Sequence, residues 1–415
     1  MINLDLTHLL IPSSFLELKY KYIWKKTIES ICNKYKAWEL AFLDVDINHE
    51  VKEIKQYVEN NKQKYEYIVV LWIWWSALWT RAILTALKWK YYNNTCKKNE
   101  LPEIYIIDNV DPIEIKNIVD IIDLDKTLFI TISKSGSTLE TVTQFKFFKD
   151  KYAKLSLDYK KHFVVVAWED SDFKKQCLDD WLEVFNIPKT IWWRFSALTS
   201  VWLLPLAFAW IDIEKLLKWV TNIKSDLLNN DFKNNKALLT SLIQYHCYIE
   251  LWKNITVFFP YISNLGIFWQ WYKQMIWESL GKWWIGVTLF DAVWVTDQHS
   301  QLQLFYDWPN DKLVIFLELE DFWVDYSIWE NKDFTFWKLM NLSKYWTQES
   351  LSSYNKINYT IKLSKLNEET LWELIIFFET QTAILWELYG FNAFDQPWVE
   401  IGKNITRKKI KEVFG

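Results

Sequence analysis

Short unbroken runs of apolar residues alternate along the chain with longer stretches in which apolar positions recur every three or four residues. The runs at 67–73, 104–107, 127–132 and 163–167 are too short for buried helices and are rich in Val and Ile. They predict strands covered on both faces. Stretches 76–87 and 137–149 carry helical spacing between them. A second set of runs, at 255–259, 287–290, 313–319 and 357–363, follows a mostly helical stretch at 197–254. Residues 1–60 read as amphipathic helix, 367–389 as a strong helix, and 391–415 as a loop followed by a final helix. Strand–helix alternation of this kind builds parallel sheets with crossover helices. The expected fold class is α/β: two similar units, each a parallel sheet flanked by helices. The expected divisions are a helical lead at 1–50, a first unit at 51–190, a second unit with a helical lead-in at 191–365, and a C-terminal helical arm at 366–415.

Composition narrows the function. Of 415 residues, 51% are hydrophobic and 24% charged, which supports a large core and excludes a disordered chain. The net charge is −4 and the basic residues are spread, with only a short basic tail at 407–411. No nucleic-acid partner is expected. The longest apolar stretch, 197–211, is interrupted by Thr199, Ser200 and Pro205 and falls short of the roughly 18 residues of a membrane span. It reads as a buried core helix, and no membrane partner is expected. The first dozen residues lack the basic-then-apolar pattern of a secretory signal. Cys32, Cys96, Cys177 and Cys247 are far apart and form no CxxC pair, so they read as reduced thiols of a cytoplasmic protein.

One pair of counts is abnormal: 7 Gly against 29 Trp. Average usage is about 7% Gly, so the two counts look exchanged. Placement says the same. Trp72, Trp74, Trp75 and Trp79 crowd the end of an apolar run. Trp192–Trp193 and Trp283–Trp284 are adjacent pairs in loop-like sequence, and Trp308 sits in Asp307-Trp308-Pro309-Asn310, where a turn wants Gly. UGA encodes Trp in some genetic codes and Gly in others, so a gene using UGA for Gly yields this pattern when read with the wrong table. Trp271, beside Tyr272 in a helical stretch, is a candidate genuine tryptophan.

Two loops carry candidate anion chemistry. Leu71-Trp72-Ile73-Trp74-Trp75-Ser76-Ala77-Leu78-Trp79 leaves a strand and enters a helix; with Gly restored, its backbone N–H groups can meet an anion. Thr131-Ile132-Ser133-Lys134-Ser135-Gly136-Ser137-Thr138-Leu139-Glu140-Thr141 also follows a strand and places four hydroxyls around a Gly. Its bland reading is a helix N-cap, with Glu140 completing a capping box from Ser137. Two such loops at strand ends of one sheet favour a sugar-phosphate pocket.

The S-K-S-G-S-T-L-E-T run resembles the phosphate loop of sugar isomerase (SIS) domains, and of the glucose-6-phosphate isomerase family in particular. Further stretches agree in the family's order. Trp192-Trp193-Arg194-Phe195-Ser196 resembles G-G-R-[FY]-S, and 274–282 resembles Q-x-x-G-E-S-x-G-K. Thr296-Asp297-Gln298-His299-Ser300 resembles the histidine segment, and 394–403 resembles F-D-Q-P-G-V-E-x-x-K. Nearly every departure puts Trp where the family has Gly.

The resemblance implies two SIS-type domains and interconversion of glucose 6-phosphate and fructose 6-phosphate through a cis-enediol(ate). It implies Glu278, set in a loop before a strand, as the base that moves the proton between C2 and C1. Arg194 would stabilise the enediolate, and His299, donated across the interface of a homodimer, would assist ring opening. Lys403 would contact the ring oxygen. Ser76, Ser133, Ser135, Ser137 and Thr138, with the backbone near Lys134 and Trp75, would hold the phosphate. Gln274 and Gln396 would contact sugar hydroxyls or water. No cofactor or metal is expected. The competing readings are a bifunctional phosphoglucose/phosphomannose isomerase and a non-catalytic SIS module that binds sugar phosphates.

Overall fold

The computed structural model describes residues 2–414 apart from 38, 44–47, 74, 89, 97–99, 137, 189–198, 217–223, 225, 227, 283–284, 308, 329–330 and 391–396. At 41, 48–49, 75–76, 331–332, 397–401, 403, 407, 411 and 414 it describes the backbone alone.

Strand β1 (Ile2–Asp5) opens the chain. The first sheet then collects β2 (Tyr67–Leu71), β3 (Glu103–Ile107), β4 (Thr127–Ile132), β5 (Phe163–Trp168) and β6 (Glu183–Ile187) in the order β3-β2-β4-β5-β6, all parallel. The Val- and Ile-rich runs form its centre: β4 is buried at every position. Leu71 lies level with Thr131 across β2 and β4, so the loops that follow these strands leave the sheet edge side by side. Helix α1 (Trp75–Lys88) follows β2, and α2 (Leu139–Lys154) follows β4.

Helix α3 (Ser200–Phe208) leads toward the second sheet and is buried on nearly every side, as its unbroken apolar sequence requires. That sheet holds β7 (Ile255–Pro260), β8 (Thr288–Asp291), β9 (Lys312–Asp321) and β12 (Asn358–Lys365), ordered β1-β12-β9-β7-β8. A two-stranded ribbon, β10 (Ser327–Ile328) with β11 (Asn331–Thr335), stands apart. Helix α4 (Phe268–Leu280) links β7 to β8, α5 (Thr296–Asp307) follows β8, α6 (Glu368–Tyr389) follows β12, and α7 (Pro397–Phe414) closes the chain. Asn367 caps α6 with a reciprocal box to Thr370, and Gly390 ends it in the left-handed region at φ 78°.

The two α/β units are as expected, but the N-terminus is not all helix. Residues 2–5 pair antiparallel with β12 and make the only antiparallel edge among the described strands of the two main sheets. Four residues are too few for a period of two to stand out locally, and the partner strand lies at the far end of the sequence. The Asp5 carboxylate, bonded to Lys362 at 2.9 Å, fixes that edge. Burial alone would raise its pKa, but the hydrogen bonds from Lys362 and Thr7 outweigh it and hold the carboxyl well below the usual range. The helix Phe336–Ser353 and strand β6 were also not foreseen.

Candidate active site

The loop after β4 is stitched to the sheet by its backbone. Ser133 N–H donates to Val166 O at 3.0 Å, and Trp168 N–H donates to Lys134 O at 3.1 Å. Ser133 is 2% exposed, and its Oγ accepts from Gly136 N–H at 3.1 Å, which folds the loop into a turn. Gly136 has φ 68°, and a Cβ built on it would stand 2.3 Å from Phe173 Cβ. Only glycine meets both demands. The Lys134 ammonium lies 3.6 Å from the centre of the Trp168 ring, a cation–π contact that keeps positive charge at the loop's rim.

The expected capping box is not what starts α2. Thr138 is the N-cap, one residue later than foreseen, and its hydroxyl makes no capping hydrogen bond. The first-turn amides of a sixteen-residue helix therefore point at this loop without a side-chain acceptor from the cap, an arrangement suited to an anion. Thr131 at the end of β4 and Thr141 in the first turn are buried, with hydroxyls that have no hydrogen-bond partner among the described residues. Sequence reasoning did not single these two out, although both lie in the hydroxyl-rich run. Ser135 is exposed; Ser137 lies outside the described residues, as do the side chains of Trp75 and Ser76.

Glu278 sits in the last turn of helix α4, not in a loop before a strand. The apolar spacing from Phe268 to Leu280 carries the helix past it, and Gly281 ends the helix. Gln274, one turn earlier, donates from Nε2 to Glu278 Oε1 at 2.8 Å.

The packing register shows where this carboxylate is delivered. Near its start, α4 approaches the end of α1: Asn264 Nδ2 donates to Ala86 O at 3.3 Å. Seven residues further on, and seven back along α1, the Trp271 and Trp79 rings are 4.0 Å apart. The helices therefore run antiparallel, and two turns further on Glu278 comes level with the loop between β2 and α1. Helix α6 runs the same way as α4, with Phe268 against Phe378 at 6.0 Å and Tyr272 Oη donating to Gln381 Oε1 at 2.6 Å. The end of α6, from which the chain proceeds to Gln396 and Lys403, thus lies at the Glu278 end of α4. Trp202 at the head of α3 is 6.2 Å from Trp72 and 4.5 Å from Trp79. Arg194, Gln396 and the Lys403 side chain lie outside the described residues.

His299 is not brought to this place. It is exposed near the start of α5, beyond the C-terminal end of β8, whereas Glu278 lies on the approach to the N-terminal end of that strand. Helix α4 spans roughly 20 Å between these two sheet edges, far more than a histidine side chain reaches.

Parallel sheets with a hydroxyl-lined anion loop at one edge, and a helix-borne carboxylate delivered to that edge, define an isomerase of phosphorylated sugars. The chain belongs to the phosphoglucose isomerase family, whose model matches residues 53–298. It is 37% identical over 391 residues to a probable glucose-6-phosphate isomerase of Methanococcus maripaludis, covering 92% of this chain and 87% of that one. It is 32% identical to the glucose-6-phosphate isomerase of Carboxydothermus hydrogenoformans, covering 93% and 88%. Among solved structures it superposes on a hypothetical protein of Thermus thermophilus with a TM-score of 0.88 at 30% identity, covering 99% of this chain and 100% of that one. A glucose-6-phosphate isomerase of Chlamydia trachomatis shares the fold, with a TM-score of 0.78 at 22% identity over 88% and 73% of the two chains.

Proposed function

We propose that the chain carries out its family's interconversion of glucose 6-phosphate and fructose 6-phosphate with Glu278 as the base. The phosphate lies against the turn at 133–138 and the first amides of α2, held by Ser133, Ser135, Ser137, Thr138 and Ser76 with the backbone at Lys134 and Trp75. Its C1–C2 edge extends under Glu278, which takes the C2 proton and returns it at C1. A positioned general base contributes about 10²–10⁴-fold. Arg194 neutralises charge developing on the enediolate oxygens, and Lys403 serves the ring oxygen during opening. Gln396 contacts the sugar hydroxyls. The observation that carries this reading is the antiparallel register of α4 on α1, which aims Glu278 at the anion loops.

His299 acts from a neighbouring copy in a homodimer. Its support is the separation across α4, since a histidine at the opposite sheet edge can serve only another subunit's site. A cytoplasmic location fits four cysteines that form no disulfide, with the Cys177 and Cys247 thiols pushed up to about 12 by burial.

Mixing Glu278→Gln and His299→Ala subunits tests both assignments. Each variant alone is expected to lose at least 10²-fold in kcat, while hybrid dimers regain activity through one intact composite site. Undiminished isomerisation by Glu278→Gln would remove the base assignment, and hybrids no better than their parents would remove the shared site.

A further inference from the structure

We infer that the natural chain carries glycine, not tryptophan, at positions 79, 181, 202, 210 and 252, and that Trp24 is a true tryptophan. The backbone is the first ground. Trp181, Trp210 and Trp252 have φ of 62°, 55° and 56°, the left-handed region that costs an L side chain roughly 1–2 kcal/mol. Each stands just past the end of a helix. After helix Asp172–Asp179, Trp181 N–H donates to Leu178 O at 2.9 Å and Leu182 N–H to Cys177 O at 3.0 Å. After α3, Trp210 N–H donates to Ala207 O at 3.0 Å and Ile211 N–H to Leu206 O at 3.1 Å. After helix Lys236–Ile249, Lys253 N–H donates to Cys247 O at 2.8 Å. These are left-handed helix ends of the kind glycine favours; others among the described residues carry Gly390, Ser156 and Asn355, all small or turn-forming residues. The three indoles do not explain themselves by packing either: they are 80%, 51% and 75% exposed.

The interior supplies the second ground. Trp79 on α1 and Trp202 on α3 meet at 4.5 Å where the helices cross, both fully buried, with neither indole N–H finding an acceptor among the described residues. A buried donor left unpaired costs about 1–3 kcal/mol, whereas glycine at a crossing carries no donor and lets helices approach closely. From α4 the Trp271 ring covers position 79 at 4.0 Å. Trp24 behaves differently from all five. It is buried against Phe232, and its Nε1 donates to Glu17 O at 3.1 Å. A single cause, UGA read as glycine in the source organism and UGG as tryptophan, accounts for both groups.

Peptide masses of the protein isolated from its own organism decide the matter. Tryptic peptide 176–189 contains Trp181 as its sole Trp and is expected at the glycine mass, whereas the peptide holding residue 24 keeps its indole. An indole mass at position 181 overturns the inference. As a second readout, the combined substitutions Trp181→Gly, Trp210→Gly and Trp252→Gly in a recombinant chain made with the indoles should raise the melting temperature. An unchanged or lower value would count equally against it.

Independently, the geometry points to Gln274 as a positioning residue for the base, an assignment that rests on Glu278 being that base. Glu278 occupies the C-terminal turn of α4, where the helix dipole disfavours a carboxylate. The 2.8 Å bond from Gln274 Nε2 to Oε1 holds the group there and fixes the plane of its carboxyl. Removing the donor with Gln274→Met is expected to lower kcat about tenfold and leave KM unchanged, with Gln274→Glu failing to restore it and Gln274→Asn restoring it in part. A rise in KM with kcat unchanged would make Gln274 a sugar contact instead, and no change in either would reduce the bond to a helix-surface pair. Full activity in Glu278→Gln would instead indict the base assignment itself.

Discussion

The loops after β2 and β4 leave the same sheet edge in level register, yet only one of them is legible as a binding turn. The loop after β4 has its own glycine, with a left-handed φ and a side-chain neighbour too close for a Cβ; the Gly136 N–H to Ser133 Oγ bond closes its turn and backbone bonds tie it to the sheet. The segment after β2 has indoles at Trp72, Trp74, Trp75 and Trp79, whereas its neighbour has none between Thr131 and Thr141 and carries Ser133, Ser135 and Gly136 in its turn. Trp72 and Trp79 are packed into the core behind it, and Trp202 meets both. The difference teaches that a backbone anion site depends on what is missing from its side chains. Ser76 and the first amides of α1 can face a phosphate only if nothing bulky stands before them.

Replacing Trp72, Trp74, Trp75 and Trp79 together by glycine should therefore have the largest effect. In a recombinant chain made with the indoles, kcat/KM is expected to rise about 10²-fold or more, since misplacing a bound group by even 1 Å costs that much. No gain would break the comparison. The converse change, Gly136→Ala, should damage the intact loop. Forcing a Cβ toward Phe173 at a left-handed φ costs about 1–3 kcal/mol, which is expected to appear as a raised KM for the phosphorylated sugar.

Thr138→Ala gives a subtler contrast. Loss of an N-cap ordinarily destabilises a helix by about 1 kcal/mol, but this hydroxyl makes no capping bond. Thermal stability should stay within about 0.5 kcal/mol while KM rises; a full capping loss in a denaturant titration would assign the hydroxyl to the helix instead. The smallest effect belongs to a site remote from both loops. The Asp5 carboxyl has a folded pKa below its unfolded value, so its contribution is present above about pH 3.9 and is lost as pH falls through the folded value. Asp5→Asn should cost at most about 1 kcal/mol at neutral pH, flatten stability below pH 4, and leave isomerisation unchanged.

The strands were legible wherever burial on both faces made an unbroken apolar run, and the helices wherever apolar spacing marked them, as at 367–389; the caps at Asn367 and Gly390 came only with the structure. The candidate residues were legible as chemistry, from the hydroxyls around Gly136 to Glu278. Glu278 was nonetheless assigned to a loop. Its segment was read from the glycines in and after it, whereas the apolar spacing that makes it helical points into a contact with α1 and α6.

The sequence by itself determined which side chains could do chemistry and where short buried strands form, because side-chain identity and periodicity are local properties. Tertiary structure alone decided that α4 runs antiparallel to α1 and so brings Glu278 level with the loop after β2, while His299 is left at the opposite sheet edge. It also decided that β1 joins a sheet whose other strands lie hundreds of residues away. Such relations are set by how helices and strands pack across the core, and no local stretch of residues encodes its partner.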